Sequence, residues 1–262
     1  MIAADLLARL PADVFIAFAV FARVGAFFMT APAFGDFSLS PRLRLAAAIA
    51  VAMALAPVAA PLYPDWTRQG ALSGAVSSMS AVLFSDLVAG LFLGLAARVM
   101  MSALNVAGQI IAMQMGLSLA QAFDPTQELQ GAIVGGFLAI LGATMIFATD
   151  LHHLLLAALA DSYGLIAPGA LPSFGDMAEL MTRTLSEAFS LGLRLAAPFI
   201  LFGLVFYVGA GVLNRLMPQA QVFFMLTPAN LMIGLMLLML TTGLLMTVFL
   251  GAFESFLAQF LR

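Results

Sequence analysis

The side chains able to do chemistry in this 262-residue chain are few and oddly placed. His152 and His153, with Asp150 and Asp161 nearby, form the one stretch whose residue types suit acid–base work or metal binding. Neighbouring positions on a helix diverge by about 100°. The two rings are therefore expected to point apart and anchor the chain at an interface rather than share an ion. With no cysteine there is no disulfide, thiolate nucleophile or Cys-ligated metal. No phosphate loop, nucleophile elbow or HExxH motif occurs, so no catalytic residue, metal or cofactor is expected.

Four charges break otherwise apolar segments: Arg23, Asp86, Arg98 and Arg194. Each costs at least about 2.5–3.5 kcal/mol in a membrane interior unless paired or hydrated. They are expected to line a pathway or to form a structural ion pair. One acid among three arginines makes a poor proton relay, which favours the pair, with Asp86 bound to one of the arginines. A second set is built of amides. On a helix, Asn105 and Gln109 share one face, whereas Gln114, Ser118 and Gln121 lie about 180° away. The polar stripe thus changes sides near Met113, which predicts a break near Gly116, with Asp124-Pro125 closing the segment. Irregular backbone at membrane depth needs burial in protein or contact with water. The stretch is either a gate in a pathway or a hairpin turn whose amides pack between helices.

The elements that must hold these residues follow from composition. Apolar residues make up 63% and charged residues 9%, against roughly 45–50% and 25% in soluble domains, which argues against a water-soluble monomer. Charge-free runs cover Leu45–Pro64, Val99–Phe123, Leu129–Thr149, Leu195–Asn214 and Leu216–Phe253. About 20 helical residues cross a 30 Å hydrocarbon layer, so the expected fold is an all-α membrane protein of long broken helices and helical hairpins. With no fixed-period repeat, residues 1–262 read as one domain. All ten cations are arginine and the net charge is −3, which excludes a nucleic-acid-binding surface.

In detail, residues 1–12 read as a short helix ended near Pro11, and Val14–Ala33 as a first membrane helix. Arg23 inside that apolar core argues against a cleaved signal. Leu45–Pro61 reads as a second helix, ended by Pro57, Pro61 and Pro64, and 71–123 as an apolar stretch long enough for two helices but lacking a strong turn between them. Leu129–Thr149 is a span, and Leu151–Ala160 a re-entrant or interfacial segment. Tyr163–Asp176 reads as the longest loop, and Arg183–Leu213 and Val222–Phe260 as helices interrupted at Pro198 and Thr227-Pro228. Met232, Met236, Met239 and Met246 share a stripe expected to pack in the core. Gly90-x-x-x-Gly94 and Gly131-x-x-x-Gly135 would let helices approach closely.

Several blocks carry a family resemblance. The run Gly108-Gln109-Ile110-Ile111-Ala112-Met113-Gln114-Met115-Gly116-Leu117-Ser118-Leu119-Ala120, ending in Asp124-Pro125, resembles the signature of the FliR family of type III export-gate subunits. Asn214-Arg215-Leu216-Met217-Pro218-Gln219, followed by Gln221-Val222-Phe223, is similar to a second signature. Arg23-Val24-Gly25-Ala26-Phe27, Ala31-Pro32, Gly35 and Pro41-Arg42-Leu43-Arg44 fit the family's N-terminal pattern, and the likeness spans about residues 14–255. The chain departs from the pattern at Asp150-Leu151, where the family often has Asn-Gly, and at Gln221, where an Asn-like residue is common.

The resemblance implies a non-enzymatic subunit of the flagellar export gate in the bacterial inner membrane, within the basal body. One copy would assemble with several copies of FliP-like and FliQ-like subunits into a helical pore, beside FlhB-like and FlhA-like export components and membrane lipids. Unfolded flagellar proteins would pass through it. It also implies that about Met113–Glu128 plugs the channel, with Met113, Gln114, Met115, Gly116, Leu117, Ser118, Phe123, Asp124 and Pro125 as gating residues. Asn214, Arg215, Pro218 and Gln219 would then be a subunit-contact motif. The alternatives are an injectisome subunit of the same family, or, from another class, a secondary transporter, which would explain broken helices and buried arginines. An intramembrane enzyme using His152, Asp150 or Asp161 ranks after these.

Overall fold

The structure is a computed structural model and describes residues 2–35, 40–64, 76–117, 129–170, 173–217 and 222–261. Among them are seven α-helices and no strand: α1 Ile2–Thr30, α2 Pro41–Ala59, α3 Val76–Gln114, α4 Leu129–Ala148, α5 Leu151–Leu165, α6 Phe174–Leu216 and α7 Val222–Ala258. Asp13–Thr30, Pro41–Leu62, Ser78–Gln114, Phe174–Leu216 and Met225–Ala258 are long and apolar enough to cross a membrane. The pair Ile133–Ala148 and Leu151–Leu165 makes a sixth if it is one bent span. The chain is an all-α membrane protein.

Several boundaries differ from the sequence expectation, and prolines explain most of them. α1 runs through Pro11 rather than ending there. α2 begins at Pro41, four residues before its apolar run. The Ser40 hydroxyl accepts from the Leu43 N–H at 3.4 Å, and Pro41 is preset for a first helical turn. α2 carries Pro57 internally and tightens into a 3₁₀ turn at Ala60–Leu62. α6 and α7 are continuous through Pro198 and Pro228. A proline removes one ladder hydrogen bond, which a helix tens of residues long tolerates in a membrane setting. Within 71–123, where the length allows two helices but no strong turn divides them, one 39-residue helix spans Val76–Gln114. α5 runs on to Leu165. Ser162 bonds back to the Leu159 carbonyl at 2.6 Å instead of ending the helix. α6 likewise starts at Phe174, within the expected loop, because Ser173 Oγ caps the Asp176 N–H at 3.1 Å.

The chain forms two compact units. The first comprises Met1–Val99, Thr149–Thr184 and Ser255–Arg262. In it α2 packs on α1 and α5, and Gly90 and Gly94 of α3 bring that helix onto α1. A Cβ on Gly90 would run into the Arg23 carbonyl, and one on Gly94 into Thr30 and Ala31. The second unit comprises Met100–Ala148 and Leu185–Glu254. There Gly108 of α3 meets Gly135 of α4, and Gly192 of α6 lies against Val106 of α3. Gly135 is the second glycine of the expected close-approach motif on α4. Alanine and glycine dominate the buried face of α3 (Ala89, Ala96, Ala97, Ala103, Ala107), so neighbouring backbones come close.

Candidate functional site

In the first unit the expected ion pair is Arg23 with Asp86, both fully buried. Arg23 Nε donates to Asp86 Oδ1 at 2.7 Å, and a terminal nitrogen of the same guanidinium lies 2.6 Å from that oxygen. The remaining donors reach Ser162 Oγ at 3.3 Å and the Ile166 carbonyl at 3.0 Å. The guanidinium carbon stands 4.0 Å from the centre of the Tyr163 ring. Tyr63 donates its hydroxyl to the other Asp86 oxygen at 2.8 Å. Two opposite charges can be buried only when their remaining donors and acceptors are met, and here α1, α3, α5 and the turn after α2 all contribute. The arrangement is closed and pinned, which suits a structural clamp rather than a relay. Ser85 extends it: its hydroxyl accepts the N–H of Gly169, which sits at φ +84° in the loop after α5. Tyr63, Ser162 and Tyr163 were not anticipated. The signal available was that two of only three tyrosines flank the clamp. Arg98 and Arg194, grouped with this pair by sequence, are exposed.

The histidine pair corrects one expectation. The rings of His152 and His153 do not splay apart; their centres are 4.1 Å apart and their planes differ by 36°. Donor atoms of Asp150, His152 and His153 lie within 4.8 Å of one another. His153 Nδ1 is 3.6 Å from the Asp150 carboxylate. Asp150 holds φ +59° and does not cap α5. The three ligand atoms are close enough together to hold one metal ion.

In the second unit α3 ends where the amide stripe changes sides. Gln114 is its last helical residue, and Gly116 takes φ +80°. The Leu117 N–H donates to the Ala112 carbonyl at 3.0 Å and the Gly116 N–H to that of Met113 at 3.1 Å. These two bonds are a Schellman C-cap, which requires a residue that tolerates the left-handed region. Two helices receive this end. Gln114 packs its side-chain amide onto Gly203 of α6. Met115, fully buried, lies against Gly234 of α7, where a Cβ would stand 2.5 Å from its Cγ. Asn230, one turn before Gly234 and 2% exposed, donates from Nδ2 to the Gln114 carbonyl at 3.1 Å.

Of the expected gating residues, Met115 and Gly116 are therefore packed inside protein, Gln114 and Leu117 are half-buried, and Met113 is exposed with Asn105 and Gln109 on the opposite face. Ser118, Phe123, Asp124 and Pro125 lie outside the described residues. Asn214 and Arg215 are exposed near the end of α6, and Pro218 and Gln219 lie outside the described residues. The methionine stripe of α7 does not pack as expected. Met232, Met236 and Met239 are exposed at 64–81%, and only Met246 is buried.

Residues 14–256 match the family of bacterial export proteins, family 1. The chain is similar to the flagellar biosynthetic protein FliR of Caulobacter vibrioides, 40% identical over 230 residues that cover 87% of this chain and 89% of that one. It also resembles the proteins of the same name from Pectobacterium carotovorum, 30% identical over 86% and 82% of the two chains, and Bacillus subtilis, 27% identical over 92% of each. A helical membrane scaffold, a family match over nearly its whole length and relatives of one name agree: the chain belongs to the bacterial export proteins, family 1, as a FliR-type component of the flagellar export apparatus.

Proposed function

We propose that this chain is a non-enzymatic core subunit of the flagellar type III export gate in the bacterial inner membrane. Its segment 113–128 would plug the channel through which unfolded flagellar proteins leave the cell. FliP-like and FliQ-like subunits would complete the channel, with FlhB-like and FlhA-like components beside it. The observation that supports this most is the end of α3: an abrupt Schellman turn at Gly116, seated on α6 and α7. A plug needs a rigid root and a free tip. Here the root is rigid, because Met115 is buried and the Gln114 carbonyl is tied. The exposed apolar faces of α6 and α7 suit burial against other membrane subunits.

The relatives' shared name favours the flagellar role over the injectisome alternative. The test is replacement of Gly116 by valine, which strains the left-handed turn, together with a deletion inside 117–124. The expected result is collapse of membrane potential or loss of flagellar subunit secretion, at normal chain levels. Unchanged growth, potential and secretion would refute the plug. Recovery of the chain from mild detergent as a lone monomer, without FliP- and FliQ-like proteins, would favour the transporter.

A further inference from the structure

We infer that Asn230 is a positioning residue that latches the root of the plug, and that opening requires the α3 terminus to part from α7 at this point. This rests on the reading of 113–128 as a plug, and it adds where the moving part is held. The last carbonyls of a helix have no partner within it. That of Gln114 is met by an amide from another helix, 116 residues away in sequence. Beside it Met115 occupies the space that any side chain at position 234 would fill, so Asn230 and Gly234, four residues apart on one face of α7, grip two consecutive residues of α3.

The second polar atom of the latch gives the direction. Asn230 Oδ1 is buried and has no hydrogen-bond partner among the described residues. A buried acceptor left empty is uncommon and raises the free energy of the state that contains it. In the closed arrangement the N–H groups of Gly116 and Leu117 are spent within α3, on the Met113 and Ala112 carbonyls. If the Schellman turn unwinds, those two donors are released two and three residues beyond Gln114, Asn230's partner, and Oδ1 is an acceptor ready to take one. The amide thus holds the closed root through Nδ2 and, through Oδ1, offers a partner to the turn as it begins to unwind, before the terminus parts from α7. Neither leucine nor alanine at 230 could do either.

The absence of native cysteine makes the test direct. A Cβ on Gly234 would lie 3.3 Å from Met115 Cβ, close to the separation that a disulfide bridges. In cells carrying the assembled gate, Met115→Cys/Gly234→Cys should form a bond on mild oxidation that stops export of a flagellar subunit. Reductant should restore export, and neither single variant should respond. Export continuing at the unlinked rate, with the bond shown complete by thiol alkylation, would overturn the latch. It would leave the gate reading standing, since that depends on the Gly116 and deletion variants. A second arm uses Asn230→Leu, which keeps the volume and removes the donor. It should raise resting ion leak roughly fivefold, the population change that one hydrogen bond supports, with Asn230→Gln closer to the parent. An assembled Asn230→Leu gate with unchanged leak would also overturn the inference.

Discussion

Removing one member of the buried ion pair should cost far more than removing both. Asp86→Leu leaves the Arg23 guanidinium fully buried with, among the described residues, the Ser162 hydroxyl, the Ile166 carbonyl and the Tyr163 ring as its remaining polar and ring partners. An uncompensated buried charge of this kind destabilises by about 3–5 kcal/mol. The Tyr63 hydroxyl also loses its acceptor, which adds about 1–3 kcal/mol. A total of roughly 4–8 kcal/mol is comparable with the whole stability of an ordinary domain, about 5–15 kcal/mol. Asp86→Leu should therefore be nearly absent from the membrane at steady state. Arg23→Met strands the carboxylate and should behave alike. In the double variant Arg23→Met/Asp86→Leu no charge is left, and apolar replacement of a buried pair is often neutral. It should regain most of the lost abundance, and Tyr63→Phe on top should regain more. The assay is the level of the chain in isolated membranes and its half-life under limited proteolysis, because abundance follows folding free energy. A double variant as unstable as the sum of the two singles would show that the pair does not act as a unit and refute the clamp.

Two glycines give a contrast within one experiment. Gly90→Ala puts a methyl group into the Arg23 backbone carbonyl, which cannot swing aside, and should cost about 1–3 kcal/mol. Gly136→Ala meets nothing within 4 Å and should be neutral or gain up to about 1 kcal/mol of helix propensity; equal membrane levels for the two would contradict the packing. Alanine at His152 or His153 should leave swimming motility intact, since the paired rings follow the bend between α4 and α5 and belong to neither the clamp nor the α3 root; a non-motile variant at normal protein level would give the pair a function.

What could be foreseen in the sequence depended on how local the cause was. The break at Gly116 was legible because an amide stripe changing faces and a glycine lie within a few residues of each other. That Asp86 would seek an arginine followed from the cost of a lone charge. Which arginine did not, because Arg23 and Asp86 are 63 residues apart and Ser162 is 139 residues from Arg23. Prolines misled in one direction. Pro11, Pro57, Pro198 and Pro228 read as ends or interruptions, yet all lie inside helices, because one missing ladder bond is a small loss in a long apolar helix. Asn230, Gly203 and Gly234 carry no local signal at all. Their role exists only once α6 and α7 meet the end of α3.

The apolar excess itself changes meaning once α6 is seen whole. Exposed large apolar side chains line it from Leu185 and Phe189 through Leu201, Val205 and Val208 to Leu216, about 47 Å at 1.5 Å per residue. A hydrocarbon layer of about 30 Å cannot cover that length within the tilts of up to about 40° that membrane helices adopt. Sliding the helix does not help. If lipid covers the stretch after Arg194, Leu185 and Phe189 are left in water beside Glu187. If it covers Leu185 and Phe189, the exposed Arg194 sits well inside the hydrocarbon, at a cost of about 2.5–3.5 kcal/mol. Contact with other protein removes the conflict, because a neighbouring subunit can bury Phe189 and still offer Arg194 an acceptor. The exposed apolar length of α6 is thus what the assembly proposed above would cover, on physical grounds that do not depend on the relatives' name.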